Sequence, residues 1–317
     1  MKPTAYRREG ISRREFGAAA AATLGIALLK QLPMAEARAA GYSTSTDPFT
    51  LDAKLKAIAA GLPAGSTANT VQAIFDRLRR GVPGGVKILK MTGRQPHTAS
   101  EALAKGGDCT DLARIVTALF KAKGIPGGAL YVHFERAPAN IDHVVPFALI
   151  GGKKVIVDLM TSVLGQTHRG KFKLLMEMTH DESAGIYHRE QGDHFRDNKN
   201  PKSAMAAYKR SLEINDKDPY VHQNLGILYE KSRDFTKALQ HIKKAAQLDK
   251  AYGKHLPKAV FNAATEDGEK AYNDGRFADC ASEFQKALDS GIKLPPAQVK
   301  SLNDNIALCK GKAREKR

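Results

Sequence analysis

Residues 105–126 read KGGDCTDLARIVTALFKAKGIP, a stretch that combines a helix with one cysteine at its start. Gly-Gly-Asp precedes Cys109, apolar residues follow at three- and four-residue spacing, and Gly-Ile-Pro ends the run after Lys123. This pattern predicts a helix from Cys109 to Lys123. A thiol at a helix start faces unpaired backbone N–H groups and the positive end of the helix dipole, so we expect the position to favour the thiolate.

The surroundings of this helix predict a mixed domain. Two short helices are expected before it, in LDAKLKAIAAGL and TANTVQAIFDRLRRG, because both segments have apolar residues at helical spacing and end in glycine. Three β-rich runs follow it, GALYVHFE, HVVPFALI and KKVIVDLM, separated by turn residues. Helices followed by strands indicate an α+β domain over residues 51–180.

His143 and Asp158 are embedded in the second and third β-rich runs, where a buried ionisable group needs a partner. Gly151-Gly152 between these runs predicts a hairpin. A two-residue turn and a four-residue loop both place Asp158 on the same sheet face as His143, and the tighter register makes them diagonal neighbours. We therefore expect Cys109 to be the nucleophile, His143 its base and Asp158 the group that orients the imidazole.

Together, these motifs over residues 65–165 resemble the transglutaminase-like superfamily. The resemblance rests on the Gly-Gly-Asp-Cys helix start, the helix ending in Gly-Ile-Pro, the histidine that leads a strand, and the Val-Asp-Leu fifteen residues beyond that histidine. It implies a papain-like core in which Cys109, His143 and Asp158 are the catalytic triad. The Asp-Leu pair is similar to that of the bacterial periplasmic transglutaminase-like cysteine proteinases, whereas the superfamily often has Asp-Pro at this point.

Two alternatives to this triad stay open. His133, in the first β-rich run, is a rival base, although no spacing in the sequence positions a carboxylate for it. Cys109 can also be a buried cysteine in a non-catalytic relative, since free cysteine is among the most buried residue types.

The C-terminal part of the chain repeats itself. An offset of 34 residues pairs Gly192 with Gly226, Phe195 with Tyr229, Ala204 with Ala238 and Tyr208 with Ile242. An offset of 42 then pairs Gly226 with Gly268, Phe235 with Phe277, Ala238 with Cys280, Ile242 with Phe284 and Ala245 with Ala287, with an insertion around KAYGKHLP. Residues 183–290 therefore resemble three tetratricopeptide repeats, followed by a capping helix at 297–312. We expect an all-α solenoid domain over residues 183–317.

Cys280 and Cys309 fall on a small-residue position of the third repeat and on the capping helix. We expect both to fill the helical core. A disulfide between them in an oxidising compartment is the alternative that the sequence leaves open.

The N-terminal segment has the pattern of an export signal. Residues 12–39 contain Arg13-Arg14, an apolar stretch of twelve residues and a small-residue cleavage site. This segment resembles the twin-arginine signal of bacteria, so residues 1–39 are predicted to be a cleaved leader and residues 40–50 a linker. The apolar stretch extends about 18 Å as a helix against a hydrocarbon core of roughly 30 Å, which is too short for a membrane span.

Charge and composition set the expected partners. The chain of 317 residues carries a net charge of +17, and without its first 40 residues it keeps 43 basic and 30 acidic residues, a net +13. Such a charge favours anionic partners. Export argues against a nucleic-acid ligand, so we expect an acidic protein or peptide that the repeats recruit.

From these features we expect an exported protein, periplasmic or secreted, whose cysteine transfers an acyl group from a peptide or amide bond through a thioester on Cys109. Hydrolysis is favoured over transfer to an amine. The mechanism requires no organic cofactor, and His168, His180, His188 and His194 match no compact metal-ligand spacing, so no metal is expected. The alternative is a non-catalytic repeat scaffold with an inert transglutaminase-like domain.

Overall fold

The computed structural model describes residues 46–79, 85–89, 95–134, 141–165 and 172–315. The predicted leader at residues 1–39 lies outside the described residues. The chain divides into two compact units, the first ending at Asp218 and the second beginning at Pro219. The predicted boundary between the α+β and repeat domains, at residues 180–183, falls inside the first unit.

The first unit combines helices with a small antiparallel sheet. Its described helices are α1 (Ala53–Ala60), α2 (Thr67–Leu78), α3 (Ala99–Lys105), α4 (Cys109–Ala122), α5 (Ala184–Asp197) and α6 (Pro201–Ile214). Its described strands are β1 (Gly127–Phe134), β2 (Ile141–Ile150), β3 (Lys153–Asp158), β4 (Val163–Gly165) and β5 (Phe172–Thr179), and they lie in the order β4-β3-β2-β1-β5. The expected sequence of helices followed by strands is therefore present, with α5 and α6 added after the sheet.

The β2–β3 hairpin has the tighter of the two predicted registers. Ile150 pairs with Lys153, so the turn consists of Gly151 and Gly152. Both glycines have positive φ, 58° and 75°. Two consecutive residues of positive φ are what a two-residue hairpin turn of the favoured hand requires, which explains the Gly-Gly pair.

The two faces of the sheet have different neighbours. One face contributes Ala148 and Val157 to the main core, in which the apolar side of α4 is buried. The other face carries a small apolar cluster that includes Val145 and Phe147. On this second face Lys154 of β3 reaches Glu177 of β5, with Nζ and Oε2 2.5 Å apart, although β2 and β1 lie between them in the sheet. The sheet therefore curls around the small cluster, which occupies its concave face.

The second unit is helical. Its described helices are α7 (Pro219–Lys231), α8 (Phe235–Leu248), a 3-10 turn (Lys250–His255), α9 (Leu256–Asn273), α10 (Phe277–Leu288) and α11 (Pro296–Glu315). Helices α7 and α8 form one hairpin and α9 and α10 another, while α5 and α6 form a similar hairpin in the first unit. The predicted insertion around KAYGKHLP appears as the 3-10 turn together with the first turn of α9.

The same contact recurs inside each of these three hairpins. A glycine on the first helix packs against a large side chain sixteen residues later on the second helix: Gly192 on Tyr208, Gly226 on Ile242 and Gly268 on Phe284. A Cβ atom added at the first two glycines would lie 2.5 Å from the facing side chain, and at the third 3.1 Å. The internal repeat in the sequence is therefore a repeat of close helix-to-helix contact.

Cys280 of α10 and Cys309 of α11 are joined by a disulfide, with their Cα atoms 6.0 Å apart. Both side chains are fully buried in the cluster that holds α9, α10 and α11 together. Both residues thus occupy the core, as expected, and the disulfide that the sequence left open is also present. It fastens the last helix to the hairpin before it.

Two glycine substitutions test this packing in the same unit. Gly226→Ala should lower the free energy of unfolding by about 1–3 kcal/mol, because its Cβ would collide with Ile242. Gly311→Ala, in the interior of α11 with open space around the added Cβ, should instead raise it by about 1 kcal/mol through better helix propensity. Urea unfolding of the two variants would measure both changes. A loss of stability at Gly311 as large as at Gly226 would contradict the close-contact account.

Candidate cysteine site

The start of α4 is fixed by a reciprocal cap. The Oδ1 atom of Asp108 accepts hydrogen bonds from the Thr110 and Asp111 amides, at 3.1 and 3.3 Å. In turn, the Oδ2 atom of Asp111 accepts a hydrogen bond from the Asp108 amide at 3.4 Å. This capping box satisfies donors that a helix start otherwise leaves unpaired, so the helix begins at Cys109 and nowhere else.

Cys109 lies inside the molecule rather than at its surface. Its side chain is only 4% exposed, and it is the free cysteine of the chain. The amide of Val144, the residue that follows His143 on β2, acts to lower the pKa of this thiol. The thiol of α4 therefore lies near the strand that carries the predicted base.

His143 and Asp158 form a buried pair. The Nε2 atom of His143 lies 2.8 Å from Oδ2 of Asp158, and both side chains are almost wholly enclosed. A carboxylate only accepts hydrogen bonds, so Nε2 carries the hydrogen and the lone pair of the neutral ring belongs to Nδ1. This is the tautomer in which Nδ1 can act as a base.

The Asp158 carboxylate is itself held in place by the chain that follows it. Its Oδ1 accepts from the amides of Met160 and Thr161, at 2.9 and 3.3 Å, and its Oδ2 accepts from the Thr161 hydroxyl at 2.5 Å. Asp158 is thus fixed from one side and binds His143 on the other. Thr161 was missed by sequence reasoning, although Asp followed by Thr three residues later is a turn pattern that could have signalled it.

Strand alternation shows how the three residues are arranged. His143 pairs with Val132, so it points to the concave face of the sheet, while the neighbouring Val144 packs with Ala113 of α4 on the opposite face. Cys109, at the start of α4, is close enough to the Val144 amide and to Asp158 for both to act on the pKa of its thiol. His143 binds Asp158 from the concave face, the face opposite Val144.

The rival base also has a carboxylate. His133 and Asp142 are direct partners across β1 and β2, and His133 Nδ1 lies 2.7 Å from Asp142 Oδ1. The Tyr131 hydroxyl donates to the other oxygen of Asp142 at 2.6 Å. The sequence could not show this pair, because the β1–β2 register does not follow from the length of the connection. His133 and Asp142 are much more exposed than His143 and Asp158.

The structure reverses the expectation that Cys109 favours the thiolate. Burial raises the pKa of the Cys109 thiol to about 12, and the carboxylates of Asp108, Glu190 and Asp158 act in the same direction. The Val144 amide opposes this rise but is outweighed. The helix start fails to favour the thiolate because the thiol is buried and because the charge of the capping carboxylate offsets the helix dipole.

Glu190 enters the site from α5, a helix that sequence reasoning assigned to the repeats. Arg114, one turn beyond Cys109 on α4, contacts both Glu190 and Asp111 through its guanidinium. It also donates to the carbonyl of His97 at 2.6 Å. The first helix of the predicted repeat region is thus part of the surroundings of the thiol, and no signal in the sequence pointed to this.

Neither a metal-binding cluster nor a membrane-spanning helix is present within the described residues. No three His, Cys, Asp or Glu side chains in that part of the chain are grouped so that they could hold a metal ion. None of the helices described there is both long and apolar enough to cross a membrane. His168 lies outside the described residues.

The hairpin packing agrees with a comparison against protein families. Residues 207–240 match the tetratricopeptide repeat family. This match covers the end of α6, all of α7 and the start of α8. No curated protein matches the chain.

Three solved tetratricopeptide structures each align with about two fifths of the chain. The OM64 TPR domain of Arabidopsis is 19% identical and has a TM-score of 0.24, over 41% of this chain and 98% of that domain. The N-terminal domain of stress-induced protein-1 from C. elegans is 18% identical, with a TM-score of 0.27, over 39% and 95%. The first TPR of Spaghetti (RPAP3), bound to an HSP90 peptide, is 13% identical, with a TM-score of 0.23, over 42% and 98%.

The raised pKa of Cys109 predicts that its thiol reacts slowly with alkylating reagents. In the folded, oxidised protein at pH 7, iodoacetamide should modify Cys109 much more slowly than it does after unfolding in urea, because the reactive thiolate is scarce and enclosed. The rate in the folded protein should keep rising with pH well beyond pH 9, since the pKa lies above its ordinary value. Mass spectrometry of the labelled protein measures this, and equal rates in the folded and unfolded chain would contradict it.

Proposed function

We propose that the protein is an exported interaction protein of the tetratricopeptide type that carries a cysteine acyl-transfer site in its first compact unit. The binding half is supported by the glycine contact that recurs in three helix hairpins and by the family match at residues 207–240. Stacked helix hairpins of this kind form extended surfaces that receive other proteins or peptides.

The partner proposed for the repeats is an acidic peptide segment. An open groove of about 580 Å³ lies between α10 and α11, and its lining has three basic side chains, Lys286, Lys310 and Arg314, against one acidic side chain, Asp289. Small side chains, Ala281 among them, leave room for a guest in this groove. The disulfide between α10 and α11 keeps the two helices together. An excess of basic side chains around an open groove, on a chain of net charge +13 without its first 40 residues, favours an anionic occupant.

Charge reversal in the groove tests the proposed partner. The double variant Lys310→Glu with Arg314→Glu should weaken binding of a fluorescent hexaglutamate peptide at least several-fold, and added salt should weaken binding to the wild type. The control reverses two lysines outside the groove lining, Lys293→Glu with Lys300→Glu, at the same change in net charge. Equal losses in both double variants would show that only the overall charge matters and would remove the groove from the proposal.

The chemical half of the proposal is supported by the buried His143–Asp158 pair, in which Asp158 also acts on the pKa of the Cys109 thiol. In the proposed reaction Sγ attacks the carbonyl carbon of a peptide or amide bond, and Nδ1 of His143 accepts the thiol proton. The C–N bond then breaks, and the same proton passes from His143 to the leaving amine. Water attacks the resulting thioester, releases the acid and restores the thiol. Each step balances without a cofactor.

The amide of Cys109 is the proposed donor to the developing oxyanion. It lies at the first position of α4, and Asp108 accepts from the next two amides instead. Such a donor stabilises negative charge on the carbonyl oxygen as the tetrahedral intermediate forms. Hydrolysis is proposed over transfer to an amine, because no feature of the described site is built to hold an amine and exclude water.

The pKa of Cys109 shapes this mechanism. With a pKa near 12 the resting side chain is the neutral thiol, so attack requires His143 to remove the proton as the substrate arrives. A substrate that displaces water and places its carbonyl by the Cys109 amide puts the developing negative charge next to that donor. The site is therefore proposed to be inactive at rest and to act only on a bound substrate.

Alanine substitutions separate the two histidines. Incubating an extracytoplasmic protein extract with the wild type should create new N-termini that Cys109→Ala does not create, as read by mass spectrometry. His143→Ala and Asp158→Ala should lose most of this activity, and their double variant should be little worse than either, because a triad acts as a unit. His133→Ala is the matched control and should retain activity. Activity that survives in His143→Ala and vanishes in His133→Ala would move the base to His133.

The last part of the proposal is that the protein is exported. Buried disulfides such as Cys280–Cys309 form and persist in oxidising compartments, which suits the predicted twin-arginine leader and a periplasmic or secreted location. N-terminal sequencing of the exported protein tests this and should find a first residue at or near Ala40. A chain that still begins at Met1 would contradict cleavage.

A further inference from the structure

Glu190 connects two helices that are far apart in the sequence. It lies on α5, and its carboxylate contacts the guanidinium of Arg114 on α4. The Thr110 hydroxyl, next to Cys109, donates to Asp108 at 2.7 Å, so Arg114 is the residue of α4 that holds the Glu190 carboxylate. The Glu190 side chain is 20% exposed, so it lies at the boundary between the interior and solvent.

The buried charge of Arg114 makes its contact with Glu190 important for stability. The Arg114 side chain is 4% exposed and stacks over the ring of Tyr187, with the guanidinium carbon 5.1 Å from the ring centroid. Asp111 and Glu190 are the carboxylates that match its charge in the described part of the chain. A buried charge that loses a partner is strongly destabilising. The ion pair therefore holds α5 in a defined position against the first two turns of α4.

Glu190 differs from the other carboxylates that act on Cys109. Asp108 is committed to capping α4, and Asp158 is committed to holding His143. Neither can change its position without undoing the helix start or the dyad. Glu190 comes from another helix and is partly open to solvent, so a bound molecule could reach it while the rest of the site stays intact.

We propose that Glu190 is a positioning residue for Cys109, whose carboxylate, held by Arg114, fixes the start of α4 and disfavours negative charge on the Cys109 sulfur until a substrate binds. This inference rests on the proposed cysteine chemistry and names a control on it. It also gives α5 a role inside the site rather than in recruitment alone.

The ionisation of Glu190 gives the proposal a pH signature. The groups that face Glu190 are Arg114, Thr110 and Asp108 at the start of α4, and Arg189 on its own helix. Burial raises the pKa of Glu190 to about 7, against the opposing charge of Arg114. Below pH 7 the carboxyl group is neutral and leaves the thiol unaffected. Above pH 7 it is an anion and disfavours the thiolate of Cys109.

The test is the rate of Cys109 alkylation by iodoacetamide in the full-length oxidised protein, from pH 6 to pH 10. Glu190→Gln keeps the shape of the side chain and removes its charge. It should speed alkylation above pH 8 several-fold, up to about tenfold, which is one unit in the pKa of the thiol. Below pH 6.5, where the wild-type carboxyl group is itself protonated, the two rates should converge. Glu213→Gln, which removes an exposed carboxylate paired with Arg210 on α6, is the matched control and should change nothing.

The pH dependence of alkylation in the wild type is a second readout, and it does not depend on whether a variant folds correctly. The logarithm of the wild-type alkylation rate should rise with pH, flatten near pH 7 as Glu190 ionises, and then rise again. A straight line through pH 7 would overturn the proposal, and so would a Glu190→Gln rate raised equally at every pH, which indicates mere loosening of the fold. Alkylation requires no turnover, so a failure of acyl transfer with this profile intact would overturn the proposed reaction and leave the role of Glu190 standing.

Discussion

The buried guanidinium of Arg114 is the constraint on which the first compact unit depends. A charge removed from water must be matched by carboxylates and carbonyls, and here the partners come from the segment at His97, from α4 itself and from α5. Helix α4 is buried from Cys109 to Phe120, so few of its polar groups can turn to solvent instead. Satisfying Arg114 therefore fixes three parts of the chain relative to one another.

This constraint changes how the chain divides. Helices α5 and α6 have the glycine contact of the later hairpins, yet they pack with the sheet in the unit that ends at Asp218. Ile186 of α5 lies in one cluster with Ala113 of α4 and Val144 of β2. The first hairpin is thus both a structural repeat and a wall of the candidate site, and a chain cut near residue 180 would leave Arg114 without one of its carboxylates.

The carboxylates in this arrangement also affect the protonation of the Cys109 thiol. A helix start is often taken as an electropositive place for a cysteine, but the local charges here are dominated by Asp108, Glu190 and Asp158. The capping carboxylate that makes α4 begin at Cys109 is also one of the groups that opposes its ionisation. The structure therefore describes a buried thiol whose neutral form is favoured, in the same unit as a histidine whose tautomer is set by Asp158.

Some of this could be read from the sequence because it depends on local periodicity. Strand alternation and the Gly151-Gly152 turn put His143 and Asp158 on one face, and a fixed offset between glycines located the helix hairpins. The remainder depends on distances between segments that the sequence does not link. The His133–Asp142 pair required the β1–β2 register, the disulfide required the spacing of α10 and α11, and the role of Glu190 required the packing of α5 on α4.

The central claim is that Cys109, His143 and Asp158 form an acyl-transfer site, and trapping the thioester tests it most directly. The wild-type protein would be incubated with peptides from an extracytoplasmic extract, quenched in acid and examined by intact-mass and peptide-level mass spectrometry. The account predicts an acyl adduct on Cys109 that neutral hydroxylamine removes, and that is absent from Cys109→Ser. Binding of acidic peptides by the repeats with no adduct on Cys109 under any of these conditions would contradict it and leave the protein as a non-catalytic scaffold.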